Sequence, residues 1–371
     1  MRTTARTLQA ALLTVLAAAC SAQPSQSAAP QSAKRPFTLT EVAKFDTPWA
    51  MAFLPGSGVP VTSMALVTEK RGKLWLFDTR SGQRQEVSGV PAVKVIGQGG
   101  LLDVALRLES LGKYRVYLSY AEAGPNGTAG VAVGYGLMTL GQGAPALDGF
   151  KVIWRQTPKV GGGAHFAGRL AFAPDGALFI SAGERFEFEP AQEPGNGLGK
   201  VVRISADGGE ATPWTLGHRN PLGLSFAPDG RLWEVEMGPK GGDELNLIVQ
   251  GKNYGWPRAS YGSHYDGRDI PDDHKGQGFE EPKLWWNPSI SPSSLLIYSG
   301  DLFPKWKGDA FIGALSGEAL IRVDIDGDKA RKADQWDMGA RIRAVDQGPG
   351  GEIYLLEDGD GGRLLRLTPA R

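Results

Sequence analysis

The chain has 371 residues with 52 Gly and 25 Pro, 41% hydrophobic content, and 40 basic residues against 40 acidic ones. A formal charge of zero gives no global electrostatic case for binding nucleic acid or a membrane surface. The apolar content suffices for a large core, and the Gly and Pro load points to many turns between many short strands.

The N-terminus reads as an export signal: Arg2 and Arg6 form a charged part ahead of an apolar run, residues 8–19, that is too short to span a bilayer. Small residues before Cys20 resemble a bacterial lipoprotein signal, with Cys20 as the lipid anchor; a plain cleaved signal containing a cysteine is the alternative. The organisation expected is a signal over 1–20, a Ser/Ala/Gln/Pro-rich flexible tether over 21–36, and one folded unit over 37–371. The implied location is periplasmic or anchored in the outer membrane. Cys20 is the only cysteine, so the folded part holds no disulfide.

Similar turns recur along the folded part: Phe53-Leu54-Pro55-Gly56, Phe172-Ala173-Pro174-Asp175-Gly176, Phe226-Ala227-Pro228-Asp229-Gly230 and Gln347-Gly348-Pro349-Gly350-Gly351. Pro-Asp-Gly is a turn signal, and the run after each turn is apolar or alternating, as a buried strand should be. Pro174 and Pro228 lie 54 residues apart, Pro55 and Pro174 119, and Pro228 and Pro349 121. The two long gaps are about two periods each, and each contains a suitable strand, near Tyr114 and near Ala310. Six units of that size, each large enough for a four-stranded antiparallel blade, predict an all-β, six-bladed β-propeller. Such a ring gathers loops from distant parts of the chain at one mouth of a central channel.

The polar motifs are spread along the chain as that geometry requires. Gly97-Gln98-Gly99-Gly100 follows the first blade and lacks the features of a phosphate loop. His165 follows three glycines, so a ligand can approach it closely and it can titrate near neutral pH; a satisfied structural histidine is the alternative. Glu184-Arg185 ends the next strand, and Asn196 and Lys200 shape a connection. The run from Gly217-His218-Arg219-Asn220 to the Gly-rich 238–244 segment places charged side chains among backbone-bending residues. Such side chains need partners if buried. Residues 261–282 read as a solvated loop on the substrate side, and Trp285, Trp286 and Tyr298 as core or as a platform for a sugar. Arg341 and Arg343, two apart on a strand, share a face and suit a polyanionic partner. There is no Gly-x-Ser-x-Gly elbow, no His-Glu-x-x-His and no dinucleotide fingerprint, which removes support from serine-hydrolase, zincin and nicotinamide readings.

Nine segments in one order, PWAMAFLP, TEKRGKLW, GQGGLLDVAL, HFAGRLAFAPDG, GHRNPLGL, GPKGGDELN, GKNYGWP, PSISPS and RIRAV, closely resemble the soluble pyrroloquinoline quinone (PQQ)-dependent sugar dehydrogenases, in particular the bacterial aldose sugar dehydrogenase branch. The resemblance spans residues 45–369 and implies a six-bladed propeller that oxidises aldoses at the anomeric carbon to lactones, with PQQ and Ca²⁺ as cofactors and an external electron acceptor. By the same resemblance, His165 is the general base. Gln98, Arg219, Asn220, Arg341 and Arg343 contact PQQ, with Arg219 also stabilising developing negative charge. The carbonyls of Gly238 and Pro239 hold Ca²⁺, with Asp243 behind them. Four positions depart from the family pattern: Ser316 replaces a usual Lys, Met237 a His, Ala344 an Asp and Ala167 a Gly. The competing expectations are a non-catalytic propeller with a vestigial PQQ site and a calcium-dependent lactonase.

Overall fold

The computed structural model describes residues 34–56, 63–141 and 143–370, so the signal, Cys20 and most of the tether lie outside the described residues. Six four-stranded antiparallel sheets form the fold. Blade I comprises Pro48–Phe53, Met64–Glu69, Lys73–Asp78 and Arg84–Glu86. Blade II comprises Leu101–Ser110, Lys113–Ala123, Ala129–Thr139 and Asp148–Arg155. Blade III comprises Ala167–Phe172, Leu178–Ala182, Lys200–Ile204 and Thr212–Leu216. Blade IV is built from Pro221–Phe226, Leu232–Glu236, Asp243–Ile248 and Leu284–Trp286, and blade V from Pro292–Ile297, Ala310–Ala314, Ala319–Asp326 and Lys329–Asp337. Blade VI takes Ile342–Gln347, Ile353–Glu357 and Gly362–Pro369 from the C-terminal end and Phe37–Phe45 from the N-terminal end, pairing Phe37 with Pro369 and Phe45 with Gly362. That pairing closes the ring by tying the first strand of the chain to the last within one blade.

The expected period has a plain local cause. In blades III, IV and VI the recurring turn joins the innermost strand to the second, and its hydrogen bonds repeat: Ala173 N–H to Ala177 O, Ala227 N–H to Arg231 O and Gly348 N–H to Glu352 O. Gly176, Gly230 and Gly351 all adopt φ between 85° and 87°, where a side chain is disfavoured. The drifted units are blades II and V, whose second strands, Lys113–Ala123 and Ala310–Ala314, are the ones anticipated near Tyr114 and Ala310. Second strands such as Leu178–Ala182, Leu232–Glu236, Ala310–Ala314 and Ile353–Glu357 are buried at every residue, because neighbouring blades cover both faces. Among the described residues the only helical segments are four short 3₁₀ turns, and no helix is long and apolar enough to cross a membrane.

Two features of the fold place the site. The first is a register shift near the start of all six innermost strands, between Pro48 and Ala50, Leu101 and Val104, Ala167 and Leu170, Pro221 and Gly223, Pro292 and Ser294, and Ile342 and Ala344. Such bulges bend a strand and re-aim its side chains, here around one mouth of the channel. The second is Arg169, a buried hub beneath that mouth. From blade III it donates to Asp103 Oδ1 of blade II (3.2 Å), Leu222 O of blade IV (2.7 Å), Ser293 O of blade V (2.6 Å) and Arg343 O of blade VI (3.4 Å). Its guanidinium also lies over the Trp49 ring of blade I, 3.9 Å from the centroid.

Candidate active site

Two cavities adjoin at the channel mouth. The inner one, about 450 Å³, is walled by Trp49, Phe166, Leu222, Met237 and Leu315 and edged by Gln98, Lys70, Arg341, Arg343 and Asp358. The outer one, about 270 Å³, is lined by Phe186, Phe188, Trp256, His264, Tyr265 and Pro239, with Arg219, Asp266 and Arg268. His165 lies between them: its neighbours Phe166 and Ala167 line the inner cavity, and its ring faces Phe186 of the outer one at 5.1 Å.

His165 is buried and takes φ 49°. Its main-chain N–H donates to Gln98 Oε1 (2.8 Å), and its Nδ1 lies 2.5 Å from Glu184 Oε1. An ionised carboxylate can only accept, so Nδ1 carries the proton and Nε2 the lone pair. Glu184 is itself buried, and its other oxygen accepts from Phe188 N–H (2.7 Å). Burial pushes the pKa of His165 below its usual value; Glu184 pulls it back, and the nearby positive charge of Arg219 depresses it further. The imidazole is therefore neutral and basic around neutral pH. Replacing Glu184 by Gln removes the charge that raises this pKa, so the acid limb of the kcat/KM profile should move to lower pH while kcat falls. An acid limb that stays in place would show that the pair is not coupled.

Arg185 holds the glycine loop in front of His165. Its guanidinium donates to Ala164 O, Ala129 O and Gly162 O and stacks on Phe166 at 3.5 Å. Backbone strain is concentrated here. Thr47, His165, Ala167, Arg185, Phe186, Phe188 and Ser291 all have positive φ, and all lie on or beside the two cavities. Such conformations cost about 1–3 kcal/mol each and persist where surrounding contacts over-determine them. Ala167, at φ 55°, occupies a conformation that glycine adopts more easily, which explains why glycine suits this position.

Arg219 points to the outer cavity, donating to Met237 O (2.9 Å), Gly238 O (2.6 Å) and Tyr265 Oη (3.1 Å). Its backbone N–H and that of Asn220 are held by Glu236 Oε2 at 2.6 and 3.3 Å. Glu236 belongs to a buried cluster with His218, Glu234, Glu244 and Asn246. His218 Nδ1 is 3.2 Å from Glu236 Oε1, and Asn246 Nδ2 is 3.1 Å from Glu234 Oε2. Burial, together with the charge of Glu236, pushes the pKa of Glu234 well up. His218, Glu234 and Glu236 present ligand atoms within 4.8 Å of one another.

The structure draws Gln98, Arg341 and Arg343 to the inner cavity and Arg219 and Pro239 to the outer one. Asn220 is fully buried and among neither set of lining residues; its Oδ1, like Arg219 Nε, is buried without a hydrogen-bond partner among the described residues. Asp243 accepts from Gly238 N–H (2.9 Å) at Oδ1 and from Ser289 Oγ (2.7 Å), Ile290 N–H (2.7 Å) and Ser291 N–H (2.8 Å) at Oδ2, so it braces the Gly238 loop from behind. Ser316, at the departed Lys position, hydrogen-bonds Ser291 Oγ at 2.7 Å.

Of three expectations, one resolves between its alternatives, one changes and one holds. Trp286 and Tyr298 are core residues and Trp285 stacks on Tyr261 at 4.0 Å, so the exposed aromatic wall comes instead from Phe186 and Tyr265, 46% and 64% exposed. The 261–282 segment is not simply solvated: His264 and Tyr265 line the outer cavity, while His274 is buried 3.5 Å from Glu244 Oε1. Lys200 is fully buried on the carbonyls of Pro190, Ala191 and Leu198, which bears out its role in shaping a connection; burial lowers its pKa to about 8.

The family model described as Glucose / Sorbosone dehydrogenase matches residues 45–366. The chain is 40% identical over 345 residues to the aldose sugar dehydrogenase YliI of Escherichia coli (strain K12), covering 88% of this chain and 91% of that protein. Among solved structures, the soluble aldose sugar dehydrogenase from Escherichia coli in its apo-form gives a TM-score of 0.83 at 38% identity, covering 90% of this chain and 100% of that one. The PQQ-bound form of the aldose sugar dehydrogenase from Streptomyces coelicolor gives 0.74 at 27% identity, covering 92% and 99% respectively.

Proposed function

Because the chain belongs to the glucose/sorbosone dehydrogenase family and is a sugar dehydrogenase, we propose that it oxidises aldoses at the anomeric carbon to lactones with PQQ and Ca²⁺, passing electrons to an external acceptor. The observation that carries this reading is a buried, Glu184-backed imidazole between a cationic cavity and an aromatic one.

The residues present fit both groups. PQQ is a flat tricarboxylate, and the inner cavity has apolar walls with Lys70, Arg341 and Arg343 against the single carboxylate of Asp358. The partnerless Asn220 Oδ1 and Arg219 Nε mark polar capacity that the protein leaves unused. Gly238 O already faces a positive charge, that of Arg219, so this carbonyl is oriented toward a cation. Ca²⁺ would be held by the carbonyls of Gly238 and Pro239, on a loop that Asp243 braces from behind.

When bound, PQQ supplies the two-electron acceptor for the hydride from the sugar C1–H, and Ca²⁺ polarises it. The chain does the rest. His165 Nε2 takes the proton of the anomeric hydroxyl as C1 becomes a carbonyl, and Glu184 stabilises the resulting imidazolium. Arg219 places positive charge beside the reacting centre. Phe186 and Tyr265 offer exposed ring faces to the sugar's C–H surfaces as it enters from the outer cavity.

Reconstitution tests the reading. Cofactor-free protein should bind PQQ only weakly without Ca²⁺ and tightly with it, and the quinone absorbance should bleach on adding an aldose. The reading fails if micromolar PQQ does not bind in the presence of Ca²⁺, or if aldose leaves the quinone spectrum unchanged.

A further inference from the structure

We propose that Lys70 is a direct ligand of a cofactor carboxylate, a third cation supplied to the inner cavity by blade I. This rests on the cofactor reading above. Lys70 occupies a position that the propeller repeats. One step beyond the end of the innermost hairpin, the second strand's N–H donates back to the first: Lys70 to Thr47 O (3.0 Å), Met237 to Asn220 O (3.2 Å), Leu315 to Ser291 O (2.9 Å) and Asp358 to Arg341 O (2.8 Å). These four residues, from blades I, IV, V and VI, all line the inner cavity. The matching residues of blades II and III, Ala121 (to Gly100 O, 2.8 Å) and Gly183 (to Phe166 O, 3.2 Å), do not line it, so four of the six blades aim this position at the cavity, and blade I places an ammonium there.

The backbone of Lys70 is fixed from both sides, since its O also accepts from Leu101 N–H of blade II at 2.9 Å. Gly100 packs so close that a Cβ there would lie 2.1 Å from Lys70 O. The side chain is half-buried, and Nζ donates to Gly97 O at 2.5 Å, beside Gln98. No carboxylate among the described residues forms an ion pair with it, whereas neighbouring Arg71 reaches both Asp46 and Asp360. Arg341 and Arg343 share one carboxylate, Asp358, at 2.9 Å from each Nε. The wall thus holds three cations against one anion. Burial, Arg343 and Arg71 all disfavour the charge on Lys70 and only Asp358 favours it. A cation held in that company is matched by a polyanion and by little else. PQQ, a tricarboxylate, is a polyanion of that kind.

The experiment is a direct PQQ titration at saturating Ca²⁺, read by equilibrium dialysis, on the full chain and on Lys70→Met and Lys70→Arg, with thermal unfolding of each protein free of cofactor. Lys70→Met should weaken PQQ binding about tenfold or more, Lys70→Arg should stay within about threefold, and the gap should narrow as salt is raised. Equal affinity of wild type and Lys70→Met overturns the proposal while leaving the cofactor reading intact. So does a loss in both variants accompanied by a lower cofactor-free melting temperature, which would make Lys70 a brace for the Gly97 turn. A wild-type protein that binds no PQQ overturns both.

Discussion

Replacing His165 by alanine should lower kcat by about 10²- to 10⁴-fold, the usual consequence of deleting a general base. PQQ affinity should stay near the wild-type value. The position itself tolerates the change. The backbone bond from residue 165 N–H to Gln98 Oε1 does not involve the imidazole, and Ala167 already shows that alanine can occupy positive φ in this loop. The lost contacts are the one to Glu184 and the ring contact with Phe186. Glu184 would keep its bond from Phe188 N–H. Exogenous imidazole, small enough to enter the vacated space, should restore part of the rate. Steady-state turnover with saturating aldose, PQQ and Ca²⁺ is the measurement. Near-full turnover in the alanine variant would remove His165 from the chemistry, and the Glu184 pairing would then be only structural.

What could be read from the chain alone followed from local signals. A Pro-Asp-Gly turn fixes its own hairpin through short-range bonds, so the turns counted the blades before any contact was known. The strand that closes the ring was not foreseen, because Phe37–Phe45 pairs with Gly362–Pro369 across the whole chain and nothing in either segment advertises the other. The site divides in the same way. His165 stood out because glycines precede it, and Arg341 and Arg343 because they share a strand face. Their partners Glu184 and Asp358 did not stand out, yet both were within reach of register arithmetic. Ala167 pairs with Ala182, and extending that hairpin two residues each way sets His165 opposite Glu184. Ile342 pairs with Glu357, and one further step sets Arg341 opposite Asp358. The outer cavity's aromatic wall was beyond such arithmetic, since Phe186, Phe188 and Tyr265 sit in loops whose paths depend on tertiary contacts.

Replacing Arg169 by methionine should destabilise the propeller by about 3–5 kcal/mol, the range for breaking a buried ion pair by removing one partner. Asp103 would be left buried with its charge uncompensated; burial already raises its pKa, and the positive charge of Arg169 is what chiefly opposes that rise. The carbonyls of Leu222, Ser293 and Arg343 would lose their donor at the same time. A second change, Asp103→Asn, should recover only part of the loss, because it removes the stranded charge but leaves those three carbonyls unpaired. This distinguishes a hub from a simple pair: for an isolated Arg169–Asp103 bridge the double variant would return close to wild type. The consequence should reach the site as well. Trp49, Leu222 and Arg343 line the inner cavity and each touches Arg169 directly, so PQQ affinity should fall with the stability. Denaturant unfolding of the cofactor-free single and double variants supplies the free energies. A loss under about 1 kcal/mol for Arg169→Met would mean that the blades hold their places without this side chain.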